Sequence, residues 1–125
     1  MTVLVDTSVW VAHFRSAHPG LVALLAADQV LMHPMVLGEI ACGTPPERAR
    51  TLADLADLRP AHQATLQETL TLLERHTLYG QGCGWVDMTL LCSTLITPGA
   101  SLWTLDARLA GQAKRLGVQH TEARH

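Results

Sequence analysis

Asp6, Glu39, Asp87 and Asp106 each interrupt a stretch that is otherwise mostly apolar or small. An ionised carboxylate removed from water without a partner is strongly destabilising, so four of them in a short chain imply shifted protonation or a shared cation. A divalent ion is the simplest shared partner. Hard oxygen donors select Mg²⁺ or Mn²⁺ over zinc, and Mg²⁺ is typically held by one or two carboxylates while water and phosphate oxygens fill the remaining positions. The chemistry that fits is hydrolysis of a phosphodiester, in which such an ion lowers the pKa of a bound water, polarises the phosphate and steadies the leaving oxygen. No serine, cysteine or histidine nucleophile is required.

Each acid also has an ordinary structural role available to it. Asp6 and Asp106 could be helix N-caps, Asp87 a first-turn acid that complements a helix dipole, and Glu39 the partner of an arginine. Holding all four roles at once is harder than holding any one. Glu39 is the acid least explained by structure, because Met35, Val36, Leu37 and Ile40 surround it. Other chemistries lack their motifs. There is no G-x-S-x-G turn around Ser8, and Gly80, Gly82 and Gly84 follow a helix pattern where a phosphate loop would follow a strand.

The elements that must position these acids can be read from the hydrophobic pattern. Thr2 to Val5 is a β-branched apolar run, expected to be a strand buried on both faces and ending at Asp6. Thr7 and Ser8 lead into a helix, Pro19 opens a second, and residues 29–32 form a short strand. Pro34 opens a helix that Gly43 closes, the usual proline-first, glycine-last order. Two amphipathic helices over 47–58 and 64–78, with Arg59-Pro60 between them, predict a helical hairpin on one side of the domain. Trp85 to Ile96 is apolar enough to be a buried helix, and residues 100–105 form a second central strand ending at Asp106. A helix over 107–116 and a last strand over 118–121 complete the pattern. Strands alternating with helices predict an α/β fold, a three-layer α/β/α domain with a central parallel sheet, spanning 1–125 as one unit. Asp6 and Asp106 then stand at the carboxyl edge of the sheet, where such folds bind ligands.

Composition narrows the class. With 48% apolar and 16% charged residues the chain has material for a core, and its longest unbroken apolar run, Leu21 to Ala27, falls short of a membrane span. With no basic, apolar, cleavable leader pattern at the start, a cytoplasmic location is expected. Cys42, Cys83 and Cys92 form no C-x-x-C pair and are expected to be core thiols, while the seven histidines, His125 among them, are too scattered for a zinc site. The net charge of −2 is unusual for a nucleic-acid binder, yet setting aside the four suspected site acids leaves nine basic residues against seven acidic ones. A phosphodiester substrate is therefore compatible with the charge. Arg15, Arg108 and Lys114, which follow the strands that carry the acids, are the candidates for contact with a nucleic-acid backbone. The few aromatics lie mostly in apolar runs, which disfavours a base-stacking platform.

Four segments taken in order resemble one family. Val3-Leu4-Val5-Asp6-Thr7-Ser8-Val9-Trp10, His33-Pro34-Met35-Val36-Leu37-Gly38-Glu39-Ile40-Ala41, Trp85-Val86-Asp87-Met88-Thr89-Leu90-Leu91 and Leu102-Trp103-Thr104-Leu105-Asp106-Ala107-Arg108-Leu109 together resemble the PIN-domain ribonucleases, and among those the VapC toxins. The resemblance implies a Mg²⁺- or Mn²⁺-dependent endoribonuclease that cuts structured RNA such as transfer or ribosomal RNA, forms a homodimer and is blocked by a VapB-like antitoxin. It implies that Asp6 and Asp87 ligate metal directly. Glu39 and Asp106 would act directly or through water, with Thr7, Ser8 and Thr104 as supporting hydroxyls. One departure is Thr-Leu before Asp106, where many relatives carry a basic residue; Arg108 follows closely. In the family, the helical region corresponding to 47–78 tends to grip the antitoxin. The alternative from another class is a non-catalytic RNA- or partner-binding domain that keeps the fold. A phosphoaccepting receiver domain would need a lysine at the end of a late strand, and the only lysine, Lys114, falls within a helix pattern.

Overall fold

The computed structural model describes residues 1–122; His125 lies outside the described residues. Its centre is β1 (Thr2–Val5), whose Val3, Leu4 and Val5 are all buried. A strand covered on both faces needs apolar side chains in both directions, which is why this run does not alternate. On one side of β1 lie β2 (Val30–Met32) and then β3 (Arg59–Pro60); on the other lies β4 (Ala100–Trp103), giving the order β3-β2-β1-β4 with every pairing parallel. The register sets Val3 opposite Val30 and Val5 opposite Trp103.

The helices are α1 (Thr7–Arg15), α2 (Pro19–Ala26), α3 (Pro34–Ala41), α4 (Arg48–Ala56), α5 (Leu66–Arg75), α6 (Trp85–Ile96) and α7 (Ala107–Arg115). Parallel crossovers are right-handed, so the steps from β1 through β2 to β3 place their helices on one face, and the return from β3 to β4 places its helices on the other. The packing agrees. α3 joins α1 to α4 in one group, and α6 joins α5 to α7 in another. The order in which strands are added reverses between β1 and β4, the topological switch point at which such sheets bind ligands.

Local chemistry explains the helix starts. His18 and His33 each accept an N–H two residues on and precede a proline at the first helical position, and Thr65 with Glu68 forms a full capping box. His33 also ties layers together: its Nδ1 accepts the Met35 N–H, which leaves Nε2 as the donor to Ser93 Oγ at 3.1 Å, while Ser93 also accepts the Ala64 N–H.

Four expectations need correction. The helical hairpin over 47–78 does not form, because Arg59 and Pro60 pair with Leu31 and Met32 as the edge strand β3, sending α4 to α3 and α5 to α6. Proline is compatible with a strand at an edge, where no ladder N–H is needed from it. The second central strand stops at Trp103, so Asp106 stands beyond it as the N-cap of α7. The last strand shrinks to a single bridge between Leu102 and Gln119. Of the three thiols only Cys92 is buried, with Cys83 half-buried and Cys42 exposed. Among the described residues, no helix is long and apolar enough to cross a membrane.

Candidate active site

Asp6 follows directly from β1, and its backbone N–H donates to the Trp103 carbonyl at 2.8 Å, locking the ends of the two central strands together. It holds the N-cap position of α1, yet its side chain caps nothing. Instead Oδ2 accepts from Thr104 Oγ1 at 2.7 Å and from Ser8 Oγ at 2.8 Å. Both hydroxyls are themselves anchored: Ser8 Oγ accepts the Leu105 N–H and Thr104 Oγ1 accepts the Asp106 N–H. Asp6 is 7% exposed, and no hydrogen bond to its Oδ1 is made among the described residues. The carboxylate is thus buried and oriented through one oxygen, with the other left without a hydrogen-bond partner among the described residues.

Asp87 occupies the third position of α6, after Gly84 at the N-cap. Its carboxyl is pushed above the usual range, chiefly by burial and then by the neighbouring charges of Asp6, Asp106 and Glu39, while the Gly84 backbone N–H pulls the other way. The four acids therefore share one electrostatic neighbourhood, drawn from β1, α3, α6 and the start of α7. Like charges this close raise one another's proton affinity, a pattern common at functional sites.

Glu39 and Asp106 are exposed. That corrects the premise that all four acids sit where unpaired charge is costly. Met35 and Leu37 are half-buried while Gly38 and Glu39 face solvent, so a helix of eight residues buries only Val36 and Ile40 and still presents an acid outward. Glu39 Oε1 accepts from Thr7 Oγ1 at 2.7 Å, which links α3 to the first residue of α1. Asp106 Oδ1 accepts the Arg108 and Leu109 N–H groups at 2.9 and 3.1 Å, an N-cap in the ordinary sense.

The basic candidates separate. Arg108 lies beside the acids; its Nη1 donates to the Gly82 carbonyl at 3.4 Å, and a Cβ on Gly82, whose φ is +82°, would meet the guanidinium at 3.0 Å. Arg15 is exposed in the last turn of α1 and lines a cleft that also contains Glu39. Lys114 is exposed in the last turn of α7, about 12 Å along the helix from Asp106. The structure does not bring it to the acids. Composition did not single out Gly82, yet its positive φ lets the 80–84 loop pack against the Arg108 side chain.

Among the described residues, no three His, Cys, Asp or Glu side chains converge closely enough to hold one ion between them. The donor set fits Mg²⁺ or Mn²⁺ on other grounds. Asp6 and Asp87 would offer two hard oxygen donors, with Glu39 and Asp106 in the same electrostatic neighbourhood, and an incomplete carboxylate set is how Mg²⁺ is usually bound when phosphate completes it. The thiol of Cys83, near Asp87 and Asp106, is raised by burial and by those two charges, so it is a poor ligand there.

No family model matches the chain. Individual relatives do: over 120 residues, covering 96% of the chain and 97% of the relative, it is 42% identical to Ribonuclease VapC32 of Mycobacterium tuberculosis, with the same figures in two strains. At that identity and coverage the chain belongs to the VapC family of PIN-domain ribonucleases, the toxins of toxin–antitoxin pairs.

Proposed function

We propose that this protein hydrolyses RNA phosphodiester bonds with a divalent metal, Mg²⁺ or Mn²⁺, held by Asp6 and Asp87. The observation that carries this is the Asp6 carboxylate, buried at the end of the central strand, oriented by Ser8 and Thr104 through Oδ2 and open at Oδ1. When bound, the ion supplies an activated water and a polarised phosphate. The chain's own residues do the rest. Ser8 and Thr104 keep the carboxylate from rotating onto the α1 N–H groups, Thr7 holds Glu39 toward the site, and Arg108 offers its guanidinium to a phosphate. Glu39 and Asp106 act directly or through water, Asp106 while also capping α7.

The substrate is a structured RNA, such as transfer or ribosomal RNA, because the described surface has no row of aromatic side chains for stacking unpaired bases. A VapB-like antitoxin is the regulating partner, and the exposed Leu66, Leu70 and Trp85 give apolar surface for a homodimer. Incubating the protein with total RNA and Mg²⁺ should yield discrete new 5′ ends that vanish with EDTA and with Asp6→Asn. Metal-independent RNA binding with no new ends would instead identify a binding domain that keeps the fold.

A further inference from the structure

We infer that the cleft between α1 and α3 holds one nucleotide of the RNA beside the cut, with Arg15 on that nucleotide's phosphate; this rests on the ribonuclease function proposed above. The cleft has a volume of about 370 Å³ and is lined by Val11, Phe14 and Arg15 of α1 and Glu39 and Ile40 of α3, with the 43–46 loop as its far wall. Three features assign its occupant.

It is continuous with the acids. Thr7, Val11 and Arg15 lie one helical turn apart on a single stripe of α1, so the cleft starts where Thr7 holds Glu39 and runs about 12 Å to Arg15. A chain whose scissile phosphate sits at Asp6 must leave the site past one of its edges, and this edge is concave. Its walls are preformed. Arg48 donates to the Ala41 and Gly43 carbonyls, Thr51 Oγ1 donates to the Pro46 carbonyl, and the Phe14 ring rests against Trp10 at 6.0 Å between centroids. The loop wall and the ring are thus fixed before anything binds.

Its chemistry is that of a nucleotide. Val11, 40% exposed, and the half-buried Phe14 give an apolar surface for one base, and Arg15 makes no ion pair or hydrogen bond among the described residues, so its charge is free for a phosphate. The volume is near the lower end of small-ligand pockets, suited to a single nucleotide. One ring makes a pocket for one base and no more.

The test uses Asp6→Asn protein, which binds without cutting, titrated with fluorescein-labelled bulk transfer RNA over a series of KCl concentrations. Arg15→Ala on that background should weaken binding roughly 5- to 10-fold and reduce the salt slope by roughly 0.7 to 0.9, the loss of one phosphate contact. Val11→Trp, at a partly exposed position on the cleft wall, should fill the cleft and weaken binding roughly 5-fold with the slope unchanged. Circular dichroism on both variants checks that they fold. Unchanged affinity and slope in both would overturn the cleft assignment while leaving the acid site standing, provided wild type cuts RNA and Asp6→Asn does not. If Asp6→Asn still cuts, the acid site itself fails. Loss of binding to the cognate antitoxin with RNA binding intact would give the cleft to a protein partner and overturn the inference.

Discussion

Asp6 and Asp87, the two ligands of the proposed ion, sit in opposite local conditions, and their variants should differ accordingly. Asp6 is held by two hydroxyl donors, so Asp6→Asn keeps the shape of the network while removing the charge. Its cleavage rate should fall on the order of 10³-fold, equivalent to about 4 kcal/mol of barrier. Thr104→Val removes one of the two donors without touching the ligand charge, and a loss of roughly 10-fold in kcat is expected, in line with other groups that orient a ligand. Equal activity of Thr104→Val and wild type in a single-turnover assay would mean that Asp6 needs no such positioning. Asp87 is different, because burial and the three neighbouring acids raise its proton affinity above that of the unfolded chain. A carboxyl with a raised folded pKa costs stability above that pKa and regains it as pH falls through it. Asp87→Asn should therefore abolish cleavage and yet melt slightly higher than wild type in EDTA at neutral pH. Allowing for solvent screening at a half-exposed group, the gain is on the order of 1–3 °C.

At the scale of elements, the sequence pattern was most legible where one force dominated. The apolar block from Trp85 to Ile96 became α6 with those same ends, because Gly84 before it and Pro98 after it leave no other choice. It was least legible where two local signals competed. Arg59-Pro60 carries a helix-stop signal and became a strand only because β2 offered an open edge, a tertiary fact no window of sequence contains. Glu39 shows the same limit: an apolar neighbourhood in sequence became an exposed acid because α3 is short. Asp106 carries both an element's cap and a share of the site's charge, and two substitutions separate them. Asn caps as well as Asp, so Asp106→Asn should keep stability within a few tenths of a kcal/mol, while Asp106→Ala should lose about 1 kcal/mol. Cleavage should drop equally in both if the charge is what matters. His33 gives a pH signature of its own. Burial lowers its pKa from the usual 6.5, and its Nδ1 is occupied by the Met35 N–H. Below pH 6.5 the unfolded ring takes a proton that the folded ring refuses, so stability falls as pH drops through 6.5 toward the lowered folded value. His33→Asn, which can still cap α3, should flatten part of that limb in urea titrations. His13 and His120, also lowered by burial, contribute in the same direction.

For the molecule as a whole, the site is a product of topology. The acids come from residues 6, 39, 87 and 106, and only the reversal of strand order between β1 and β4 opens a crevice in which segments that distant can meet. The parallel α/β class and the strand-end position of Asp6 were readable from the chain, while the distances were not, because they depend on how α3 and α6 lean over that crevice from opposite faces. Like charges converge in that crevice: Asp87 feels Asp6, Asp106 and Glu39 at once. A divalent ion that binds the folded state alone should relieve that repulsion and stabilise the protein by mass action, about 2.7 kcal/mol when the free ion is at about 100 times its dissociation constant. For a domain of this size that is a rise in Tm of roughly 10 °C between EDTA and saturating Mg²⁺. Asp6→Asn and Asp87→Asn should each lose most of that rise, because each removes a proposed direct ligand, whereas Glu39→Gln should keep most of it if Glu39 acts through water. Thermal melts of the four proteins with and without Mg²⁺ measure this with no RNA present. A rise that survives Asp6→Asn undiminished would place the ion elsewhere on the molecule, and a rise lost in Glu39→Gln as fully as in Asp6→Asn would promote Glu39 to a direct ligand.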